Sequence, residues 1–252
     1  MKLKERLKAN TLSIGSWVTI GHHSIVEIMA SAGFDWLVID MEHSAISLAK
    51  AQELIMVIQS KNMAALVRVG ANDELIIKQI MDAGADGVVV PMINTKEDAE
   101  KAVKSVQYPP GGNRGVGLAR AQEYGIGFDE YKEWLKNNSI IIVQIEHKDA
   151  VENIDEIISV EGIDGTIIGP YDMSASFDIP GELHSPILLN AIKKVEKACQ
   201  DANFPLGYHV IKPNQLEVQV KADSGYSFIA FSLDFFFLGE KVREEMDALN
   251  NE

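Results

Sequence analysis

Eight short apolar runs recur along the chain, separated by segments whose apolar residues have helical spacing. The runs are continuous rather than alternating, which is typical of parallel strands covered on both faces. They are LSIGSWV (12–18), WLVIDM (36–41), AALVRV (64–69), GVVVPM (87–92), IIIVQIE (140–146), GTIIGP (165–170), LGYHV (206–210) and FIAFSL (228–233). Strands that alternate with helices in this way predict an α/β fold built around a parallel sheet.

Glycine marks four of the predicted helix-to-strand junctions. Gly33, Gly84, Gly162 and Gly225 each stand just before a strand, where a left-handed residue would end the preceding helix. Repeated units of this kind in 252 residues predict a single (β/α)8 TIM barrel domain over 1–252. The main alternative is a doubly wound open sheet, but no G-x-G-x-x-G follows the first strand to support nucleotide binding.

Charge and cysteine content exclude several classes of function. The formal net charge of −14 argues against nucleic-acid binding, because phosphate binding needs a basic surface. One cysteine, Cys199, rules out an internal disulfide and favours a reducing compartment. No apolar run approaches the ~20 residues that cross a bilayer, and MKLKERLKAN lacks the apolar core of a secretion signal. We therefore expect a cytoplasmic protein without a nucleic-acid or membrane partner.

The connection between the fourth and fifth strands is unusually long. It holds a predicted helix and then YPPGGNRGVGLARAQEYG (108–125), whose prolines and glycines argue against regular structure. A long loop in a compact domain is usually functional or disordered. We expect this loop on the face of the barrel that carries the chemistry.

Polar residues collect at the C-terminal ends of the predicted strands, where barrel active sites lie. They are Asp40, Glu42 and His43 after the second strand, Arg68 in the third, Gln144 and Glu146 in the fifth, Asp172 after the sixth, His209 in the seventh, and Ser232 and Asp234 at the eighth. The opposite strand ends show no comparable cluster. This asymmetry predicts an active site at the C-terminal end of the barrel.

The fifth strand suggests a metal site. Gln144 and Glu146 share one face because side chains alternate along a strand, and buried polar groups are costly unless something binds them. Asp172 would add a second carboxylate from the neighbouring strand, about 4.8 Å away. Two carboxylates without cysteine or clustered histidine favour Mg²⁺ or Mn²⁺. The alternative is that Glu146 is solvated at the rim or pairs with Arg68.

The second and third strands supply candidates for proton transfer and charge stabilisation. His43 is a candidate general base, since Asp40 and Glu42 could orient its ring and tune its basicity. Arg68 is a fixed cation that could stabilise an oxygen that becomes negative during reaction. The alternatives are a hydrogen-bonded structural histidine and a buried ion pair between Arg68 and one of the acids.

Five motifs, in order along residues 10 to 240, resemble the HpcH/HpaI aldolase family. They are FDWLVIDMEHS, VRVGANDELIIKQIMDAGADGVVVPM, YPPGGNRGVG, VQIE and IIGPYDMSAS. Members of this family are metal-dependent (class II) aldolases that act on 2-oxo acids, usually with pyruvate as the nucleophile. The resemblance implies that His43 is the base, directly or through water, and that Arg68 contacts the ketone oxygen. It also implies that Glu146 and Asp172 hold a divalent ion, Mg²⁺, Mn²⁺ or Co²⁺.

Three further positions take a role from the resemblance. Gln144 matches a glutamine near the bound oxo acid, and the peptide N–H groups around Tyr171 and Asp172 would meet the acid's carboxylate. Asp82 matches an aspartate that approaches the histidine from a neighbouring subunit in family hexamers, which implies a homo-oligomer. The alternative for Asp82 is an ordinary helix-end residue before Gly84.

The activity implied by the resemblance is that of a carbon–carbon lyase, which cleaves or forms a 4-hydroxy-2-oxo acid through a pyruvate enolate and an aldehyde. One alternative is decarboxylation of a 2-oxo diacid such as oxaloacetate through the same enolate; another is a barrel that binds a metabolite without catalysis. Departures from the family pattern at His147, Phe177, Asp178, YHVIKP (208–213) and AFSLDFFFLGE (230–240) leave the second substrate open.

Overall fold

Eight parallel strands close into a barrel in sequence order, in a computed structural model that describes residues 1–250. The strands are β1 (Ser13–Val18), β2 (Trp36–Asp40), β3 (Ala64–Arg68), β4 (Gly87–Val90), β5 (Ile140–Ile145), β6 (Gly165–Ile168), β7 (Gly207–Val210) and β8 (Phe228–Leu233). Each of the eight predicted runs forms one strand, so the predicted (β/α)8 TIM barrel is confirmed.

Helices surround the barrel and connect its strands. They are α1 (Leu3–Lys8), α2 (His23–Ala30), α3 (Leu48–Ser60), α4 (Glu74–Asp82), α5 (Lys96–Val106), α6 (Phe128–Asn138), α7 (Lys148–Glu152), α8 (Ile154–Ile158), α9 (Pro170–Ser176), α10 (Pro186–Asp201), α11 (Gln215–Asp223) and α12 (Asp234–Asn250). The segment between β5 and β6 forms two short helices, α7 and α8, which are divided at Asn153. The side chain of Asn153 donates a hydrogen bond to the carbonyl of Asn94 (2.8 Å). Within residues 1–250, no helix is both long and apolar enough to cross a membrane.

Large aromatic side chains fill the interior of the barrel. The rings of Trp36 and Phe228 stack with centroids 4.0 Å apart. Gly15 makes room for this pair, since a Cβ atom there would lie 2.0 Å from the Trp36 ring. At the N-terminal end, Leu3 and Leu7 of α1 are buried against the same interior cluster. Helix α1 therefore closes the end of the barrel opposite the predicted site.

The predicted glycine junctions have the expected backbone. Gly33, Gly84, Gly162 and Gly225 all have positive φ, between 84° and 101°. These junctions also contain aspartate side chains that bond to the preceding strand, which the sequence analysis did not predict. Asp35, Asp86 and Asp164 directly precede β2, β4 and β6, and each accepts a hydrogen bond from a backbone N–H of the preceding strand, of Ile14, Ala65 and Ile141 respectively (2.8–2.9 Å). These carboxylates hold neighbouring strands in register.

The long loop over 108–125 lies away from the predicted active face. Arg120 donates hydrogen bonds to the carbonyl of Ala83 (3.0 Å) and to the side chain of Gln59 (2.8 Å), at the C-terminal ends of α4 and α3. Helix C-termini in this barrel lead into strand N-termini, so these contacts anchor the loop at the opposite end. The expected placement on the catalytic face is wrong, because the loop follows α5, which returns the chain to the N-terminal end of the barrel, and does not follow β4 directly.

Candidate active site

The charged end of β2 is held by an arginine from β3. Arg68 donates from Nε to Oδ1 of Asp40 (3.0 Å) and from Nη2 to Oδ2 (2.7 Å). The register of the two strands pairs the residues side by side. The guanidinium also lies over the Trp17 ring, with Cζ 4.5 Å from its centroid. Arg68 is thus fixed on two sides, in the ion pair that the sequence left open as an alternative.

The two acids that follow β2 have opposite electrostatic environments. Burial acts to raise the pKa of Asp40, but the hydrogen bonds and charge of Arg68 hold it below its ordinary value. Burial raises the pKa of Glu42, and the charges of Asp40 and Asp172 add to burial while that of Arg68 opposes it. Nη1 of Arg68 lies 3.3 Å from Oε2 of Glu42, without hydrogen-bond geometry. Asp40 is therefore a fixed anion, whereas Glu42 retains an oxygen for another partner.

His43 lies at the mouth of the barrel, with 59% of its side chain exposed. Its Nε2 is 3.7 Å from Oε2 of Glu42. Its backbone N–H donates to Oδ1 of Asp40 (3.2 Å), which fixes the turn after β2. The ring therefore has Glu42, rather than Asp40, as its carboxylate neighbour, and it can reach a molecule that enters from solvent.

The end of β5 carries the expected polar pair. Gln144 and Glu146 are both 3% exposed, and the Gln144 amide donates to Oε2 of Glu146. The other carboxylate oxygen of Glu146 accepts a hydrogen bond from the N–H of Met92 (2.8 Å), after β4. Met92 has a left-handed backbone (φ 53°), an uncommon conformation for a residue with a side chain. The predicted sharing of one face by Gln144 and Glu146 is confirmed.

The carboxyl of Glu146 binds protons unusually well. Burial raises its pKa to about 7, and the charges of Glu42 and Asp172 add to burial, while hydrogen bonds from Met92 and Gln144 oppose it. Burial and the two neighbouring acids thus both disfavour the charged form of Glu146, and a nearby cation would favour it.

Asp172 and Tyr171 belong to the first turn of α9, not to β6 itself. Both side chains are exposed at the mouth of the barrel. The pKa effects of Asp172 on Glu42 and Glu146 place the three carboxylates in one electrostatic cluster. The sequence expectation of two acids on neighbouring strands is therefore modified, because Asp172 lies in the first turn of a helix and not on β6.

Asp82 lies outside this cluster within the chain. It is the last residue of α4, and its Oδ1 accepts hydrogen bonds from Arg114 Nη2 (2.5 Å) and Gln122 Nε2 (3.2 Å). Arg114 has a fully buried side chain. Asp82 thus lies at the N-terminal end of the barrel, whereas His43 of the same chain lies at the C-terminal end. The predicted contact between an aspartate and a histidine would therefore need a second subunit.

A cavity of about 70 Å³ opens between the ends of the strands. Trp17, Arg68, Gln144, Asp172 and His209 contribute to its lining. Its volume is far below the ~300–1,000 Å³ of drug-sized sites, so the enclosed part suits a small acid. The sequence reading passed over Trp17, although its position near the C-terminal end of β1 was a usable signal.

The donor set of this site suits a divalent cation. Glu42, Glu146 and Asp172 offer oxygen ligands, and one neighbouring guanidinium, that of Arg68, is already paired with Asp40. Hard divalent ions prefer such oxygen ligands. Within residues 1–250, no group of three or more His, Cys, Asp or Glu side chains is arranged to hold a metal, so a bound ion would take ligands from substrate or water as well.

The barrel and the polar cavity at its acidic mouth are those of the (β/α)8-barrel enzymes, whose active sites lie at the C-terminal ends of the strands. The sequence model of the HpcH/HpaI aldolase/citrate lyase family matches residues 13–238. The chain belongs to this family, as the motifs indicated.

Individual relatives agree with this assignment. The chain is 36% identical to a hydroxypyruvate/pyruvate aldolase of Sagittula stellata, over 92% of this chain and 91% of that protein. It is 34% identical to a 5-keto-4-deoxy-D-glucarate aldolase of Escherichia coli, over 92% and 90%. A crystal structure of an HpcH/HpaI aldolase/citrate lyase family protein from Burkholderia cenocepacia superposes with a TM-score of 0.93 at 29% identity, over 98% of each chain.

Proposed function

We propose that this protein is a divalent-metal-dependent aldolase that forms or cleaves a 4-hydroxy-2-oxo acid through the enolate of a 2-oxo acid such as pyruvate. The observation that carries the proposal is the grouping of the carboxyls of Glu42, Glu146 and Asp172 at the mouth of the barrel, where the charges of Glu42 and Asp172 add to burial in raising the pKa of Glu146. Such a cluster is stabilised by a cation. Glu146 and Asp172 are the proposed ligands, as the family resemblance implies, and Mg²⁺, Mn²⁺ and Co²⁺ are the candidate ions.

When bound, the ion would act as a Lewis acid on the ketone of the substrate. Arg68 would stabilise the same oxygen as it becomes negative, because its guanidinium is already held in place by Asp40 and Trp17. A preorganised cation needs no rearrangement during the reaction, which makes its charge more effective. Gln144 would contact the oxo acid through its free Oε1, and the N–H groups of Tyr171 and Asp172 would bind the acid's carboxylate.

His43 is proposed to move the protons, directly or through water. Its exposed ring lies beside Glu42, and its proposed targets are the carbon that forms the new bond and the hydroxyl of the aldol product. Both transfers occur at the solvent side of the cavity, where the aldehyde would enter. The proposed second substrate is an aldehyde, as the family resemblance implies.

A homo-oligomer, the hexamer implied by the resemblance, also belongs to the proposal. Five exposed apolar residues run along α12: Phe235, Leu238, Val242, Met246 and Leu249. Their spacing places them on one side of the helix, as at a helix-packing interface. The predicted role of Asp82 beside the histidine of a neighbouring subunit requires such an assembly. Light scattering on the purified protein measures the subunit number.

The activity is tested by incubating the protein with pyruvate, Mn²⁺ and a panel of small aldehydes, and by following new hydroxy-oxo acids by mass spectrometry. Product that depends on both the metal and the aldehyde supports an aldolase. Oxaloacetate in place of the two substrates tests the alternative, since a decarboxylase would release pyruvate without any aldehyde. No turnover in either assay would contradict both activities.

A cytoplasmic location remains part of the proposal; the single cysteine, Cys199, is buried.

A further inference from the structure

Three buried polar atoms without a hydrogen-bond partner lie around the cavity at the mouth of the barrel. Among the residues that the structure describes, Nε1 of Trp17, Oε1 of Gln144 and Nε2 of His209 are all buried and unpaired, and all three side chains line this cavity. Buried polar groups in folded proteins are nearly always paired. Three exceptions around one cavity indicate a polar ligand that completes them.

Trp17 and His209 form one wall of the cavity. Their rings are neighbours, with centroids 5.5 Å apart, so one small group can contact both. His209 lies on β7, opposite Ala230 of β8. The pairing of β1 with β8 becomes irregular just before Trp17, and Ser232 of β8 has a left-handed backbone (φ 51°). Strain of this kind is common at sites that position a ligand.

The protonation of His209 follows from its contacts. A hydrogen bond to the backbone of Ser232 favours the protonated ring, so its partner is a carbonyl. Because Nε2 is the unpaired nitrogen, Nδ1 makes this bond, and we assign the proton to Nδ1. Burial, with the charge of Arg68, lowers the pKa of His209 to about 3, so the ring is neutral in ordinary buffers. Nε2 therefore carries a lone pair without a hydrogen-bond partner, in a ring that lines the cavity next to that of Trp17.

The position of this wall relative to the substrate follows from the proposed function, on which the inference rests. Arg68 marks the ketone oxygen on C2, and the N–H groups of Tyr171 and Asp172 mark the carboxylate on C1. Of the polar side chains that line the cavity, Trp17 and His209 are then left for C3, the carbon that becomes nucleophilic. We propose that Trp17 and His209 select the substituent on C3 of the 2-oxo acid, and that the substituent they fit is a hydroxyl group.

A hydroxyl matches both atoms of the wall. Its oxygen accepts a hydrogen bond from Trp17 Nε1 and its hydrogen is donated to His209 Nε2. The unsubstituted methyl group of pyruvate leaves both atoms unpaired. A site built to bind a hydroxyl discriminates strongly against the analogue that lacks it, because its own polar groups then lose their partners. The nucleophile class is therefore a 3-hydroxy-2-oxo acid, with hydroxypyruvate as the smallest example.

The test compares hydroxypyruvate with pyruvate in the Mn²⁺-loaded enzyme, with one aldehyde held constant. We expect His209→Leu to lower the ratio of kcat/KM for hydroxypyruvate to kcat/KM for pyruvate by about tenfold or more. Trp17→Phe is expected to lower the ratio in the same direction. His209→Gln retains an acceptor and should lower the ratio less than His209→Leu. Tyr208→Phe, at the neighbouring position of the same strand, is the control and should leave the ratio unchanged.

Calorimetric titration of the two acids gives a readout that does not depend on turnover. The ratio of their dissociation constants should shift in the same direction in His209→Leu and Trp17→Phe, and Trp17→Phe carries the test if the leucine variant does not fold. Ratios that stay within twofold of wild type in these variants would overturn the inference while leaving the aldolase intact. Absence of any carbon–carbon product from wild type with either acid would instead overturn the proposed function.

Discussion

Arg68 and Asp40 form a two-bond ion pair between adjacent strands, with Nε and Nη2 of the arginine donating to the two oxygens of the acid (3.0 and 2.7 Å). The apolar strand β2 ends in charge because Asp40 fixes the guanidinium that faces the cavity. Glu42 and His43, which follow, are left for contacts with a ligand. The ion pair therefore positions Arg68 at the site, and it does not reduce Arg68 to a purely structural residue.

Arg68→Lys should lower kcat strongly while the barrel remains folded. Lysine keeps the charge but loses the planar fork that bonds both oxygens of Asp40. Loss of one preorganised charge that stabilises a developing oxyanion costs about 10²–10³ in kcat. Steady-state kinetics with pyruvate and the best aldehyde measure the change, and Arg243→Lys, on the exposed face of α12, is the control. An unchanged kcat would remove Arg68 from the mechanism.

Glu146→Ala should abolish metal binding, because it removes one of the two proposed protein ligands. Titration of the metal-free protein with Mn²⁺, followed calorimetrically, should show no binding at concentrations that saturate wild type. Circular dichroism tests whether the barrel is retained. Glu152→Ala, which removes an exposed carboxylate from the end of α7, should bind Mn²⁺ as wild type does. Wild-type affinity in Glu146→Ala would show that the ligand assignment is incorrect.

Affinity for Mn²⁺ should depend on pH with a midpoint near that of Glu146. The metal needs the carboxylate, and the pKa of this group in the metal-free protein is raised to about 7 from 4.5. Below pH 7 a proton must be released, so affinity should fall about tenfold per pH unit, and above pH 7 it should level off. The free energy of unfolding of the metal-free protein depends on pH in the opposite sense, because the folded state binds this proton more tightly than the unfolded state does. The stabilisation from Glu146 is fully present below about pH 4.5 and is lost as pH rises through 7.

Titrations from pH 5.5 to 8 in a buffer that does not bind metal measure this dependence. An affinity that does not change across the range would mean that Glu146 is ionised throughout and that burial has little effect on it.

Asp82→Asn should destabilise the protein, because it leaves the fully buried guanidinium of Arg114 without a charged partner. Removal of one member of a buried pair costs about 3 kcal/mol in the free energy of unfolding. Urea unfolding measures the loss, with the exposed Asp223→Asn as the control. Turnover at a temperature where the variant is folded then addresses the predicted catalytic role: a lower kcat there supports it, and a normal kcat assigns Asp82 to structure alone.

Gly15→Ala should be poorly tolerated, although the change adds one methyl group. The new Cβ would lie 2.0 Å from the Trp36 ring, which is itself held against Phe228. Overpacking of a filled core costs about 1–3 kcal/mol or more. Thermal unfolding should show a lower midpoint, whereas Gly115→Ala, where the nearest heavy atom within reach is 4.0 Å away, should not. Equal midpoints would show that the barrel interior can rearrange.

The sequence predicted the barrel because its signals are local. Continuous apolar runs and a glycine such as Gly84 before a strand depend on neighbours along the chain. The side-chain parity of β5 likewise placed Gln144 and Glu146 on one face. These features are decided by backbone geometry within a few residues.

What the sequence did not predict depends on contacts between distant residues. The long loop is anchored at the N-terminal end by Arg120, which bonds to Gln59, and a single sequence does not reveal that partner. Asp172 was expected to come from the strand next to β5, but it lies in the first turn of α9. The unpaired atoms of Trp17 and His209 become visible only when the cavity between them is known.

Helix α1 seals the barrel at the end remote from the acidic mouth, with Lys4 donating to the carbonyl of Ser139 (2.6 Å) and paired with Asp164 (2.5 Å). Material coupled to that end, such as an affinity peptide or a solid support, would project away from the route by which small acids and aldehydes arrive. Immobilised preparations of this enzyme should therefore be attached through helix α1, which leaves the mouth of the barrel open to solvent.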